Sequence, residues 1–219
     1  MKLIFLFIFL TPFLNQAFAE ESHDNRRIIV IRHGEGSHNI NKVYNSNPSH
    51  PQYKPAYLTD KGRAQVRATA EKLLDQGFNN EDIAAVIVSP LPRAKQTAEI
   101  LQESGLFNTD KVSIDFKLIE VQAGDREGKS HTDFSGDPWN VSKAERYFGE
   151  NDQQVRERIQ ILIADLMKTH KEGHIVLVTH GTPALEIIKI FKDEKVRLDT
   201  AEAKVLSIND LREIFTPEI

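Results

Sequence analysis

Apolar positions along this chain fall into short continuous runs, separated by stretches in which they recur every three or four residues. Residues 28–31 (Ile-Ile-Val-Ile), 84–88 (Ala-Ala-Val-Ile-Val) and 175–178 (Ile-Val-Leu-Val) are runs with the length and composition of strands buried on both faces. Two weaker strands are predicted at 112–116, where Ser113 and Asp115 alternate with apolar neighbours, and at 203–208, which suits a sheet edge. Between the runs the period is helical. A helix is predicted from Thr59, whose hydroxyl can cap it, through Val66, Ala70, Leu73 and Leu74 to Gly77. A second follows Ser89-Pro90-Leu91-Pro92 and ends at Gly105. A third spans 151–170, with Val155, Ile159, Leu162, Ile163 and Leu166 on one face, and a fourth runs from about Pro183 to Phe191. Strand and helix alternate, which predicts an α/β fold: a three-layer α/β/α sandwich around a mostly parallel sheet with helices on both faces. Residues 34–58, with Pro48, Pro51 and Pro55, and residues 119–149 show no such period and are read as loops near the strand ends.

The first 19 residues stand apart. Lys2 precedes eight apolar residues, and Ala17-Phe18-Ala19 closes the stretch, the order of parts in a secretory signal peptide. The apolar run is far short of the roughly 20 residues that span a bilayer. The expectation is an exported protein, periplasmic or secreted, with no stable membrane insertion once the leader is cleaved; an uncleaved anchor is the alternative. Residues 20–219 then form one domain, with no linker that would divide them.

The chain has no Cys, which excludes disulfides, thiol catalysis and Cys-based metal sites. Its formal charge is −4, and its basic residues are scattered, so it carries no nucleic-acid footprint. An anionic ligand would have to be drawn by a local positive pocket.

Chemistry-bearing residues sit at the predicted strand ends. The first strand runs into Arg32-His33-Gly34-Glu35, and the strand at 175–179 stops at His180-Gly181. Arg93 lies just past the central strand, at a helix start, where a cation is disfavoured by the helix dipole unless an anion binds there. Two imidazoles and two guanidiniums at the carboxyl ends of a parallel sheet make a plausible phosphoryl pocket.

Arg32-His33-Gly34-Glu35 with Asn39, Leu58-Thr59-Asp60-Lys61-Gly62, Ser89-Pro90-Leu91-Pro92-Arg93-Ala94-Lys95-Gln96-Thr97-Ala98, Glu120 and Thr179-His180-Gly181 together resemble the histidine phosphatase superfamily, the phosphoglycerate-mutase-like family. The matches keep the family's order from residue 28 to about 190. The resemblance implies a phosphoglycerate-mutase-like fold and a phosphohistidine mechanism without cofactor or metal. His33 is the expected nucleophile, since a neutral imidazole can attack phosphorus in line. Arg32 and Arg93 are expected to bind phosphoryl oxygens through their planar forks. His180, protonated, is a second phosphate ligand; Gly181 lets the backbone approach, and Asn39 adds an amide donor or else serves a turn. Glu120 is the expected proton donor to the leaving oxygen, with Asp125 and Glu127 as nearby alternatives. The chain departs from the common pattern at Gly36, where Thr or Ser usually stands, and at Thr182, which replaces a glycine.

His38, His50 and His131 read most simply as surface groups, although any of them could contact a substrate. The spacing of His170 and His174 is that of a helical metal pair, but Gly173 argues that the helix ends before it. The expected function is an exported, metal-independent phosphatase acting on a small-molecule or exposed phosphomonoester. The alternatives are a mutase-type phosphotransferase and a non-catalytic phospho-ligand binding module. Segment 43–57 and loop 122–148, with Trp139 and Tyr147, are expected to wall the pocket, and oligomeric state is left open.

Overall fold

The computed structural model describes residues 24–134, 144, 146–192 and 194–211. Its centre is a five-stranded sheet built from β1 (Arg27–Arg32), β2 (Ile83–Val88), β3 (Val112–Ile114), β4 (His174–Thr179) and β5 (Ala203–Ser207), in the order β3-β2-β4-β1-β5. The pairs β2–β3, β2–β4 and β1–β4 are parallel, and β5 closes the other edge antiparallel to β1. The sheet is therefore mostly parallel, as its continuous apolar runs predict.

Among the described residues, five α-helices flank the sheet: α1 (Ser37–Asn41), α2 (Asp60–Asp75), α3 (Pro92–Glu103), α4 (Asp152–Thr169) and α5 (Gly181–Lys192). Side chains alternate across a strand, so each strand feeds two cores. Ile28 and Val30 pack with Val155, Ile159 and Ile163 of α4 and Ile187 and Ile188 of α5. Ile29 and Ile31 pack with Val66 and Ala70 of α2 and Ala94 and Leu101 of α3. The three-layer sandwich follows from that alternation.

Local signals fix the helix ends. Thr59 caps α2 by accepting from the Gly62 amide at 3.0 Å, and Asn151 caps α4 with Gln154 answering in a capping box. Gly105, just past α3, has φ 86°, a conformation that favours glycine. Three boundaries differ from the sequence expectation. Helix α5 begins at Gly181, two residues before Pro183, which falls in the first turn, where a proline's missing N–H costs nothing. Strand β3 stops at Ile114, because the Asp115 side chain accepts from Lys117 N and winds residues 116–118 into a 3-10 turn. Helix α1 lies inside the stretch read as loop; five residues are too few to show a period.

Among the described residues no helix is long and apolar enough to cross a membrane. The leader expected at 1–19 lies outside the described residues, as does Trp139.

Candidate active site

Adjacent parallel strands deliver the two histidines. Arg32 of β1 pairs in register with Thr179 of β4, and His33 N donates to Thr179 O at 2.9 Å, so both chains leave the sheet at one level. The ring centroids of His33 and His180 lie 5.0 Å apart. Both side chains are buried, at 1% and 0% exposure.

The His33 tautomer is fixed by its own loop. Nδ1 lies 2.7 Å from the Gly34 carbonyl oxygen, which can only accept, so Nδ1 carries the proton and Nε2 the lone pair. Burial, reinforced by the Arg93 charge, holds the His33 pKa well below the usual 6.5, which keeps the ring neutral. The loop has little freedom: a Cβ on Gly34 would stand 2.6 Å from Gly62 O of α2, and Gly34 N donates to Thr97 Oγ1 of α3 at 3.2 Å.

Arg93, in the first turn of α3, is fully buried, and that burial draws its pKa down to about 10. Its Nε donates to His33 Nε2 at 3.1 Å, its NH1 to Asn45 Oδ1 at 2.7 Å and its NH2 to Asn45 O at 2.9 Å. Segment 45–46 is itself anchored. Ser46 donates from N and Oγ to the buried Glu127 carboxylate at 2.7–3.0 Å, while Ser46 Oγ accepts from Ala123 N at 2.9 Å. Asn45, Ser46 and Glu127 thus form a clamp behind Arg93. In the sequence, Asn45 and Ser46 are merely polar residues in a loop, and nothing there pairs them with an arginine 48 residues away.

His180 stands against Ser89, at the end of β2, with Oγ to Nε2 at 2.6 Å. Leu91 N donates to the same hydroxyl at 3.4 Å; when the hydroxyl hydrogen goes to His180 Nε2, the ring proton sits on Nδ1. Burial and the Arg93 charge hold the His180 pKa well below 6.5. In the free protein His180 is therefore neutral.

Arg32 donates from NH1 to Leu198 O at 2.7 Å. Its Nε, like His180 Nδ1, is buried without a hydrogen-bond partner. Orphaned buried donors are uncommon and mark where a ligand oxygen would fit.

Arg32, Arg93, Asn39, Glu120 and Gly181 all line a cavity of about 220 Å³. The structure separates the three candidate carboxylates. Glu120 faces the cavity, with one oxygen accepting from Val121 N; Asp125 is exposed elsewhere, and Glu127 is occupied by Ser46. Asn39 uses Oδ1 to accept from Gly36 N at 2.9 Å, which leaves its NH2 as the donor available to the cavity. A Cβ at Gly181 would meet only the Arg32 guanidinium, at 3.7–4.0 Å, so the protein itself does not require glycine there.

Residues 43–46 and Ala123 wall the cavity as expected, whereas Tyr147 packs on Phe134 away from it. His131 and Arg197 also line the cavity. His38 departs most from the sequence reading: it is buried rather than on the surface, with its ring 5.3 Å from that of His33. His170 and His174 belong to different elements, and His174 Nδ1 accepts from Arg27 N at 3.1 Å.

The family model of the histidine phosphatase superfamily (branch 1) matches residues 28–211. Probable phosphoglycerate mutase GpmB of Enterobacter sp. (strain 638) is 30% identical over 164 residues, 71% of this chain and 69% of that protein. A mycobacterial glucosyl-3-phosphoglycerate phosphatase, solved with VO3, superposes with a TM-score of 0.65 at 25% identity, over 83% of this chain and 92% of that one. A putative alpha-ribazole-5'-P phosphatase from Escherichia coli gives 0.63 at 25% identity, over 86% and 95%. Sequence order, strand-end histidines and superposition agree, and this chain belongs to the histidine phosphatase superfamily.

Proposed function

We propose that the protein is a phosphatase that hydrolyses phosphomonoesters through a phosphohistidine on His33. The observation that carries this reading is the lone pair of a neutral His33, fixed by Gly34 O and set between Arg93 and His180 beneath a cavity lined by Arg32 and Glu120. In the free protein Arg93 Nε donates to that lone pair; an arriving phosphoryl oxygen takes over the Nε–H and uncovers it. His33 Nε2 then forms a bond to phosphorus as the bond to the leaving oxygen breaks, and Glu120 gives that oxygen its proton. Arg32 Nε, Arg93, the Asn39 amide and His180 Nδ1 hold the equatorial oxygens, where fixed donors stabilise the charge that spreads in the transition state. Glu120, now a base, takes a proton from water as its oxygen attacks phosphorus. The P–N bond breaks, and phosphate leaves with His33 neutral again.

Phosphatase is preferred to mutase because the two superposed structures at 25% identity are of proteins described as phosphatases, and because the sequence points to export, away from a cytosolic pool of phosphorylated sugars and acids. The leader at 1–19 supports an exported, periplasmic or secreted location for residues 20–219. The test is phosphate release from p-nitrophenyl phosphate, with excess chelator, by residues 20–219 and by the His33→Ala variant. Chelator-resistant turnover that disappears in the variant is expected. Turnover that survives in it overturns the assignment of the nucleophile, and no turnover from pH 5 to 8 overturns the phosphatase reading.

A further inference from the structure

We propose that His38 is a third imidazole in contact with the substrate, donating from Nε2 to an oxygen of the bound phosphoryl group. The inference rests on the phosphohistidine reading above and adds a residue to that site. Four observations carry it. His38 is 8% exposed, and the face it shows lines the cavity. Its ring lies 5.3 Å from that of His33, within reach of a group bonded to the nucleophile. Its Nδ1 is buried without a hydrogen-bond partner, backed against Gly36, which leaves Nε2 as the ring nitrogen that reaches the cavity.

The fourth observation is Gly36 itself. Its φ of −110° is open to any residue, and its place before α1 is one where Ser, Thr, Asp or Asn ordinarily supplies a cap. Glycine is there for space: a Cβ would stand 2.9 Å from His38 Nδ1 and 3.1 Å from Cε1. Gly36 and His38 are therefore a matched pair, the smaller residue making room for the buried ring.

Chemistry selects the direction of the bond. Burial and the charges of Arg93 and Arg32 push the His38 pKa down to about 2, so the ring is neutral and has one N–H. With that N–H on Nε2, the ring can donate to a ligand oxygen from the cavity side, while the lone pair of Nδ1 is turned against Gly36. His33 and His38 thus present opposite tautomers: one offers a lone pair to phosphorus, the other an N–H to oxygen.

The experiment compares the unmodified chain, His38→Gln, His38→Phe and His38→Leu, each with a melting curve. Two readings are taken, kcat/KM on p-nitrophenyl phosphate and the dissociation constant of orthovanadate. Gln keeps a donor, whereas Phe and Leu fill the space without one. His38→Phe and His38→Leu should lose about 10- to 100-fold in both readings, the range for a hydrogen bond to a charged group, while His38→Gln stays within about fivefold. Phe or Leu variants that bind orthovanadate as tightly as the unmodified chain overturn the role of His38, and turnover lost in His33→Ala would leave the phosphatase reading intact. An unmodified chain that neither binds orthovanadate nor turns over substrate overturns both. Binding without turnover overturns the phosphatase reading alone, and the vanadate series still decides His38.

Discussion

The Arg93 guanidinium is held against His33 by a relay of contacts that begins at a buried carboxylate outside the cavity lining. Glu127 holds Ser46, Ser46 fixes the adjoining Asn45, and Asn45 accepts from two nitrogens of Arg93. Only the contact to Asn45 Oδ1 depends on that side chain, so Asn45→Ala frees one arm of the fork. The expected result is a loss of about tenfold in kcat/KM, equivalent to about 1.4 kcal/mol, with a lower melting temperature because a buried Arg93 N–H and the Lys54 carbonyl lose their partner; steady-state kinetics and a melting curve check it. The same buried site makes stability depend on pH. His33, His38 and His180 are held neutral in the folded protein at pH values where an unfolded imidazole, near 6.5, takes up a proton. The unfolded chain then binds more protons, so stability is lost as pH falls below about 6.5. At the limit of three protons the slope is about 4 kcal/mol per pH unit. Urea unfolding at pH 7.5, 6.5 and 5.5 should show that decline, and equal or greater stability at pH 5.5 would contradict it.

Helix and strand ends decide where these side chains meet. The loop after β1 rests on the first turn of α2, and Gly62 is the contact: a Cβ there would lie 2.1 Å from Glu35 O and 2.8 Å from Glu35 N. These are backbone atoms, so no rotamer change relieves the overlap. Glycine to alanine inside a helix ordinarily stabilises by up to about 1 kcal/mol. Here the sign reverses, and Gly62→Ala should cost about 1–3 kcal/mol, read from the urea midpoint; a variant as stable as the parent would contradict the packing. At this scale the sequence was legible where a pattern had length. The apolar runs at 28–31 and 175–178, the Thr59 cap and Gly105 all fall where they were read. Helix α1 and the burial of His38 were not, because a five-residue helix has no period and the ring's place beside His33, near Arg32 and Arg93, is a tertiary matter. Gly36 held the missing signal, a glycine at a capping position whose purpose appears only beside the ring it accommodates.

Across the molecule, the chemistry gathers at the carboxyl ends of the three central strands. β1 gives Arg32 and His33, β4 gives His180, and β2 leads to Ser89 and Arg93, the placement expected for a ligand crevice in a parallel sheet. The chain as a whole is acidic, with a formal charge of −4, yet among the described residues three arginines line the cavity (Arg32, Arg93 and Arg197) against the one carboxylate of Glu120. Attraction for an anion is thus local, as the scattered basic residues implied. The four residues that the motifs named most firmly, Arg32, His33, Arg93 and His180, come together. Their support by Asn45, Ser46 and Glu127 was unreadable, since it depends on how two unpatterned loops cross. The central claim is a covalent bond between His33 and phosphorus, and trapping it is the most direct test. Residues 20–219 mixed with p-nitrophenyl phosphate and quenched in base within milliseconds should gain the mass of one phosphoryl group, alkali-stable and acid-labile, on the peptide that carries His33. A chain that turns over substrate with no phosphoryl group on His33 at any quench time, or with one on another residue, would contradict the account.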